Sequence, residues 1–346
     1  MRLLGIIIAI ISFGLLVIGH EFGHFSVGRL LGFKINEFSV GMGPKLWSTQ
    51  KGETEYSFRA IPIGGFCAFE GEDEATKAEE GQVLAKEPDP RAFNLQPAWK
   101  RLLVLVAGSF NNIVIGILIF TIVFTYMGTY SPKLSEVIEG APAAQAGILE
   151  GDIIYSVNGT EYSEWSDITT AISTSESDVV RVGVIRNGEK LQFDVNTYTN
   201  EYGNKAVGIV CSIEHSVGSA VKSAFHECGS MIRALRDFFV RLFRGQASSD
   251  EVGSVVQIIA VSGEYAVNYG LITVIYLIAL VSVNLGFMNM LPIPGLDGGR
   301  ALFVIIRWLS GGKLSEKVEN TVNSVFMVLL IALMVFLIFK DVFTLI

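Results

Sequence analysis

Leu3-Leu4-Gly5-Ile6-Ile7-Ile8-Ala9-Ile10-Ile11-Ser12-Phe13-Gly14-Leu15-Leu16-Val17-Ile18-Gly19-His20-Glu21-Phe22-Gly23-His24 carries no charge until Glu21 and then presents three ionisable groups within five residues. A helix needs about 20 mostly apolar residues to cross the hydrocarbon core of a bilayer, so residues 3–19 read as a membrane span. Arg2 ahead of a short apolar core also suits a signal peptide, but no small-residue cleavage site follows, and a span is the expectation. On a helix, positions i and i+4 share a face. His20 and His24 can therefore reach one metal ion, with Glu21 between them to accept a proton from water. Ionisable groups at the end of a lipid-buried helix are expensive and functional by default.

Three further apolar runs follow, at residues 102–127, 271–291 and 322–339. The expectation is a polytopic α-helical membrane protein with about four transmembrane helices. Half of the 346 residues are hydrophobic and 17% are charged, against about 25% charged in ordinary soluble domains. Mean hydropathy is +0.48. A net charge of −8 argues against a nucleic-acid partner, which would meet a basic face. The three cysteines Cys67, Cys211 and Cys228 form no CxxC pair, so neither a disulfide framework nor a thiolate zinc site is read from them.

Charge sets the expected orientation. Arg29, Lys34, Lys45, Lys51 and Arg59 follow the first span, Lys100 and Arg101 abut the second, and Arg300, Arg307, Lys313 and Lys317 separate the last two. The positive-inside rule puts these loops in the cytoplasm and the segment between the second and third spans outside. Arg2 is a small vote against this.

Between the spans the pattern changes. Residues 32–72 alternate between glycine and proline punctuation, as in Gly41-Met42-Gly43-Pro44 and Ile63-Gly64-Gly65-Phe66, which reads as hairpins. Residues 70–89 are acidic and loop-like. From residue 130 to about 200 a small β-rich domain is expected, with tight turns at Asn158-Gly159 and Asn187-Gly188. Residues 219–243 place Val221, Phe225, Ile232, Leu235, Phe239 and Leu242 roughly on one face, accompanied by Arg233, Arg236, Arg241 and Arg244. That helix either lies on the bilayer surface or packs on the β domain.

A catalytic zinc usually takes three protein ligands, and no third histidine follows His24 closely. The better candidate is Asp297 in Asn289-Met290-Leu291-Pro292-Ile293-Pro294-Gly295-Leu296-Asp297-Gly298-Gly299. A carboxylate bordering an apolar span needs a partner; the prolines forbid regular helix, and Gly298-Gly299 are expected to let the backbone turn sharply. Asn284 and Asn289 on the third span need hydrogen-bond partners. They pair with a neighbouring helix, or hold a substrate carbonyl, the second being favoured for Asn289.

Residues 140–159, with Gly140-Ala141-Pro142 and Gly151-Asp152-Ile153-Ile154, resemble a bacterial PDZ domain. Together with His20-Glu21-Phe22-Gly23-His24 and the Asp297 segment, this order of motifs is similar to the site-2 protease family, above all to bacterial members of the regulator-of-sigma-E protease type. The resemblance implies zinc held by His20, His24 and Asp297, with Glu21 as general base and substrate contacts at Asn284 and Asn289. It implies a membrane-associated β-hairpin region in residues 33–65 and an extracytoplasmic PDZ (α+β) domain. It also implies a multi-pass protein of the inner or plasma membrane, its active site towards the cytoplasm, that cleaves membrane-anchored substrates such as single-pass regulators, anti-sigma factors or signal-peptide remnants within the lipid bilayer. Ser109 and Asn111 depart from the family's usual proline and small residue, and residues 252–255 lack the proline of its Gly-Pro-Val pattern. The expected division is 1–127 (first membrane half), 128–200 (PDZ), 201–269 (amphipathic and linking region) and 270–346 (second membrane half). The rival class is a non-catalytic zinc-binding PDZ scaffold. Against it stands Glu21, since a structural site needs no base and fills its fourth position.

Overall fold

The structure is a computed structural model that describes residues 2–72, 89–246, 270–311, 313–314 and 316–345. The 252–255 segment, the acidic stretch from 73 to 88 and residues 247–269 lie outside the described residues. The chain divides into two compact units, Met1–Ile119 with Glu227–Ile346, and Phe120–His226.

In the first unit, helix α1 (Arg2–Leu30) carries the apolar run and the histidines without interruption. Strands β1 (Ile35–Lys51) and β2 (Thr54–Phe69) follow as the expected hairpin region. Its register is folded back on itself: residues 37–40 pair with 55–58 on one side and with 65–68 on the other. Helices α2 (Ala98–Met127) and, later in the chain, a helix over Leu271–Asn289 are long and apolar enough to cross a membrane, and among the described residues two helices meet that test. The other two expected spans fall on α1 and on the last helix, Glu316–Leu345, where the apolar stretch Thr321–Leu337 is shorter.

An apolar core of Phe25, Phe33, Ile35, Phe69, Phe93, Val104, Leu105 and Val304 ties the hairpin to three helices. The helices approach closely because glycines remove side chains at the crossings. A Cβ on Gly23 would lie 2.4 Å from the Ala107 carbonyl oxygen, and one on Gly286 would lie 2.7 Å from that of Ser109. Without a hydrophobic drive between helices in lipid, such small-residue contacts are how they pack.

The second unit is a β-sheet domain. Strands β3 (Thr129–Val137), β4 (Ile153–Val157), β6 (Val179–Arg186) and β7 (Glu189–Asn196) form one sheet, with β5 (Thr160–Glu161) paired to β4. Short helices α3 (Pro142–Gln145) and α4 (Trp165–Ser173) accompany it. Both expected turns form, with Asn158 and Asn187 at φ 51° and 54° and a glycine after each; asparagine tolerates this left-handed backbone and glycine requires nothing for it. Val180, Val182 and Val184 are fully buried while Arg181 points out, the period-2 alternation of a strand with one covered face.

The domain does not end near residue 200. After the small hairpin β8 (Tyr198–Thr199) and β9 (Lys205–Ala206), strand β10 (Ile209–Glu214) pairs with β3 and completes the sheet edge. Helix α5 (Val217–Phe243) then begins on the domain: Ala220 and Ala224 are buried, Lys222 pairs with Glu164 at 3.0 Å, and His226 Nε2 lies 3.4 Å from Asp167. Its first turns therefore pack on the β domain through their small residues, while Val221 and Phe225 on the same turns stay exposed. The remaining helices are α6 (Leu271–Asn289), α7 (Asp297–Leu309) and α8 (Glu316–Leu345).

One buried ion pair closes the domain's loop. Arg186 grips the buried Asp152 carboxylate with Nε to Oδ1 at 2.8 Å and Nη2 to Oδ2 at 2.7 Å, and the Leu149 N–H donates to Oδ2 at 2.9 Å. Burial raises the Asp152 pKa, but the Arg186 bonds, the Leu149 N–H and the guanidinium charge outweigh it, and the net shift is downward. Stability from this pair is therefore fully present above the ordinary aspartate pKa of about 3.9 and is lost as pH falls through the lower folded value. Arg186→Leu is expected to cost roughly 3 kcal/mol, because it leaves a buried carboxylate unpaired. Pulse proteolysis of the domain across a urea series measures this, and a loss below about 1 kcal/mol, the range of exposed pairs, would refute it.

Candidate metal centre and active site

His20 and His24 lie one helical turn apart near the C-terminal end of α1, both buried. Asp297 is the first residue of α7. Residues 290–296 break the helical path between α6 and α7, as Pro292 and Pro294 require. Gly298 and Gly299 do not make the turn that was expected of them. Both are helical, and what matters is the missing side chain: a Cβ would lie 2.3 Å from the Met290 carbonyl oxygen at Gly298 and 2.2 Å from that of Ile293 at Gly299. Only glycine lets the first turn of α7 seat on the carbonyls of the preceding loop, and that seating aims Asp297 at α1.

The three candidate ligands converge. Asp297 Oδ2 is 2.9 Å from His20 Nε2 and 3.2 Å from His24 Nε2, and the two Nε2 atoms are 3.2 Å apart. His24 Nδ1 lies 2.8 Å from the Val104 carbonyl oxygen. A carbonyl can only accept, so Nδ1 carries a proton, and in the neutral ring His24 Nε2 is left as a lone pair. Asp297 Oδ2 is a buried acceptor to which no hydrogen-bond donor is aligned. Bare acceptors crowded together in a low-dielectric interior repel unless a cation lies among them. Ligand atoms about 2.0–2.2 Å from a tetrahedral zinc sit roughly 3.3–3.5 Å from one another, close to the spacing found. Two imidazoles and a carboxylate are a donor set that suits a catalytic zinc, and among the described residues His20, His24 and Asp297 form a group that could hold a metal ion.

Glu21 projects from α1 beside β2: a Cβ on Gly65 would lie 3.5 Å from Glu21 Cγ and 2.8 Å from the Ser39 carbonyl oxygen. Asn289 reaches the cluster, its Nδ2 3.5 Å from His20 Nε2. Asn284 does not. Five residues away on α6, it is turned roughly 140° from Asn289, and its Oδ1 is buried without a partner.

Helix α2 supplies what the motifs did not reveal. A Cβ on Gly108 would lie 2.3 Å from His24 Nε2, so the imidazole rests directly on the glycine's backbone. Asn111 donates Nδ2 to the Gly19 carbonyl at 2.6 Å, and Asn112 Nδ2 lies 3.4 Å from His20 Nδ1. Asn111, which departs from the usual small residue, thus pins the turn of α1 that bears the histidines. The signal that could have found this face was the small-residue spacing Gly19-x-x-x-Gly23 on α1, which brings a second helix against the turn carrying both ligands.

The model of peptidase family M50 matches residues 8–333. This chain belongs to peptidase family M50. Relatives agree over nearly the full length. A Clostridium acetobutylicum protein named "Putative zinc metalloprotease" is 32% identical over 345 residues, covering 99% of this chain and 98% of the relative. "Zinc metalloprotease RasP" of Shouchella clausii is 28% identical over 405 residues, covering 95% of this chain and 96% of that one. Among solved structures, the PDZ domain of an SdrC-like protein from Listeria monocytogenes matches 24% of this chain and 86% of its own, at 21% identity and a TM-score of 0.21. M50 peptidases are the site-2 proteases, zinc-dependent enzymes of the membrane. The protein is accordingly an intramembrane zinc metalloprotease, and its substrates are membrane-anchored.

Proposed function

We propose that His20, His24 and Asp297 hold the catalytic zinc, that Glu21 is the general base, and that Asn289, with Asn284 further along the same helix, contacts the substrate backbone. The observation that carries this reading is the convergence of three ligand atoms, two from α1 and one from α7, within about 3 Å of each other at spacings that suit zinc. A zinc ion held there would supply Lewis acidity, polarising a peptide carbonyl and easing deprotonation of water. Glu21 accepts the proton of the attacking water and returns it to the leaving amine nitrogen. Asn289, a neutral donor next to the cluster, is suited to bind the carbonyl oxygen as negative charge develops on it. The hairpin of β1 and β2, which abuts Glu21 at Gly65, is suited to receive an unwound substrate as an added strand.

The proposed topology has four spans, α1, α2, α6 and α8, with the hairpin on the cytoplasmic side and the β domain outside, following the positive-inside distribution. The β domain is read as a PDZ domain that selects or tethers substrates, on its Gly140–Gly159 motif. Single-pass regulators and signal-peptide remnants are the substrate classes this arrangement suits.

The test is zinc stoichiometry together with cleavage of a tagged single-span substrate in detergent. Wild type is expected to hold one zinc and cut. Asp297→Ala is expected to lose zinc by more than about 100-fold in affinity, since loss of a ligand exceeds the 10–100-fold typical of supporting residues, and to stop cutting. Full zinc retention by Asp297→Ala would remove Asp297 from the ligand set.

A further inference from the structure

Asn112 on α2 is fully buried, and neither the proton path nor the ligand set uses it. Its Nδ2 is 3.4 Å from His20 Nδ1, its Oδ1 is a buried acceptor without a donor, and its backbone carbonyl accepts from Ser282 Oγ at 2.8 Å. That last bond ties the turn bearing Asn112 to α6. We infer that Asn112 is a positioning residue for the zinc site: its amide holds His20 at Nδ1 so that Nε2 faces the metal, as the Val104 carbonyl does for His24. The inference rests on the reading of His20 as a ligand.

An imidazole binds a metal through Nε2 only as a lone pair, so Nδ1 must then carry the proton, and the partner of that N–H sets tautomer and ring orientation. A buried N–H without an acceptor is destabilising. For His24 the acceptor is in place at 2.8 Å. For His20 the polar group recorded beside Nδ1, among the described residues, is the Asn112 amide. As it stands the amide offers N–H to Nδ1, which suits the neutral tautomer protonated at Nε2. A half-turn of the amide presents Oδ1 instead, and the near-equal shapes of the amide oxygen and nitrogen mean the swap needs no extra room. It removes a donor-to-donor conflict and gives Oδ1 its missing donor, at the cost of an amide N–H left without its former acceptor. An amide can thus serve either tautomer, a carboxylate only the one protonated at Nδ1, and an alkyl group neither.

Helix geometry supports the assignment. Val104, Gly108 and Asn112 stand at i, i+4 and i+8 and so form one stripe of α2. Along it the stripe offers an acceptor for His24, a gap that seats the His24 ring, and the Asn112 amide for His20. One face of α2 orients both histidines.

The test measures the zinc dissociation constant of the full chain in detergent by competition with a chromophoric chelator, with kcat at saturating zinc alongside. Asn112→Leu, close in volume and without hydrogen-bonding groups, is expected to bind zinc 10–100-fold more weakly, the usual range for such supporting residues, whereas Asn112→Asp, which keeps the acceptor, stays within about threefold of wild type. Should Asn112→Leu not fold, as judged by thermal unfolding with the metal chelated, the pair Asn112→Ala and Asn112→Asp makes the same comparison. Affinity within about threefold of wild type in the Leu or Ala variant would overturn the inference, as would equal losses in the Asp variant, because the site would then require the asparagine's shape and not its acceptor. His20→Ala separates the two levels. If it too binds zinc normally, the ligand reading itself fails; if it loses zinc while Asn112→Leu does not, the Asn112 inference alone is wrong.

Discussion

Glu21→Gln is expected to reduce cleavage of a single-span substrate by about 10²–10⁴-fold, the usual contribution of general acid–base catalysis, while the protein keeps its zinc. The side chain keeps nearly the same volume, so the close packing of Gly65 beside Glu21 is preserved. His20, His24 and Asp297 keep their mutual spacing, because none of the recorded contacts that orient them runs through Glu21. What is lost, on the proposed mechanism, is the carboxylate that takes a proton from water and gives it back. Zinc content by atomic absorption and the cleaved fraction of tagged substrate are measured on the same preparation. Undiminished cutting by Glu21→Gln, with a host protease excluded by a His20→Ala control, would remove Glu21 from the mechanism. Zinc loss accompanying the activity loss would make it a structural residue.

Gly108→Ala is expected to weaken zinc binding by at least about 10–100-fold and to lower activity with it, an outcome opposite to what helix propensity alone suggests. Alanine in place of glycine within a helix usually stabilises by about 1 kcal/mol. Here the added methyl would stand 2.3 Å from His24 Nε2, 2.7 Å from Cε1 and 2.8 Å from Cδ2, inside the closest approach that real Cβ atoms make. The ring would have to leave its seat and abandon its bond to the Val104 carbonyl, or α1 and α2 would have to separate. Separation is opposed nearby, where Gly23 lies so close to the Ala107 carbonyl that a Cβ would come within 2.4 Å of it. Overpacking of this kind typically costs about 1–3 kcal/mol, and a ligand displaced by that strain weakens zinc by at least the 10–100-fold seen when supporting residues are lost. Chelator competition and the cleavage assay read both effects. Normal zinc affinity in Gly108→Ala would show that the imidazole has room to move, and that the stripe on α2 does not define the site.

How much of this was legible in advance depends on how local the physics is. His20, Glu21 and His24 could be placed on one buried helix from residues 3–24 alone, because a period of 3.6 residues puts i and i+4 on the same face whatever the rest of the chain does. The turns at Asn158 and Asn187 were equally readable, since left-handed backbone is a property of one or two residues. The β domain's end was not. Strand β10 joins the sheet by pairing with β3, more than 70 positions earlier, and strand pairing at that separation leaves no mark in a local window. Asn284 and Asn289 illustrate the same divide: both are on α6, as read, but only packing shows that Asn289 Nδ2 comes within 3.5 Å of His20 Nε2.

The amino-acid sequence by itself determined that this protein is an apolar, helical chain carrying a histidine pair with an intervening glutamate, a glycine-punctuated hairpin region, a β domain and a proline-broken acidic segment at Asp297. Those features follow from hydrophobic periodicity, turn chemistry and the cost of charge near lipid, all of which act over a few residues. Tertiary structure decided that Asp297 meets the histidines, that Gly298 and Gly299 act by yielding space and not by turning the chain, and that one stripe of α2 lies against both imidazoles. Each of these is a close contact between segments distant in the chain, and only chain packing, not local preference, decides which surfaces come within bonding distance.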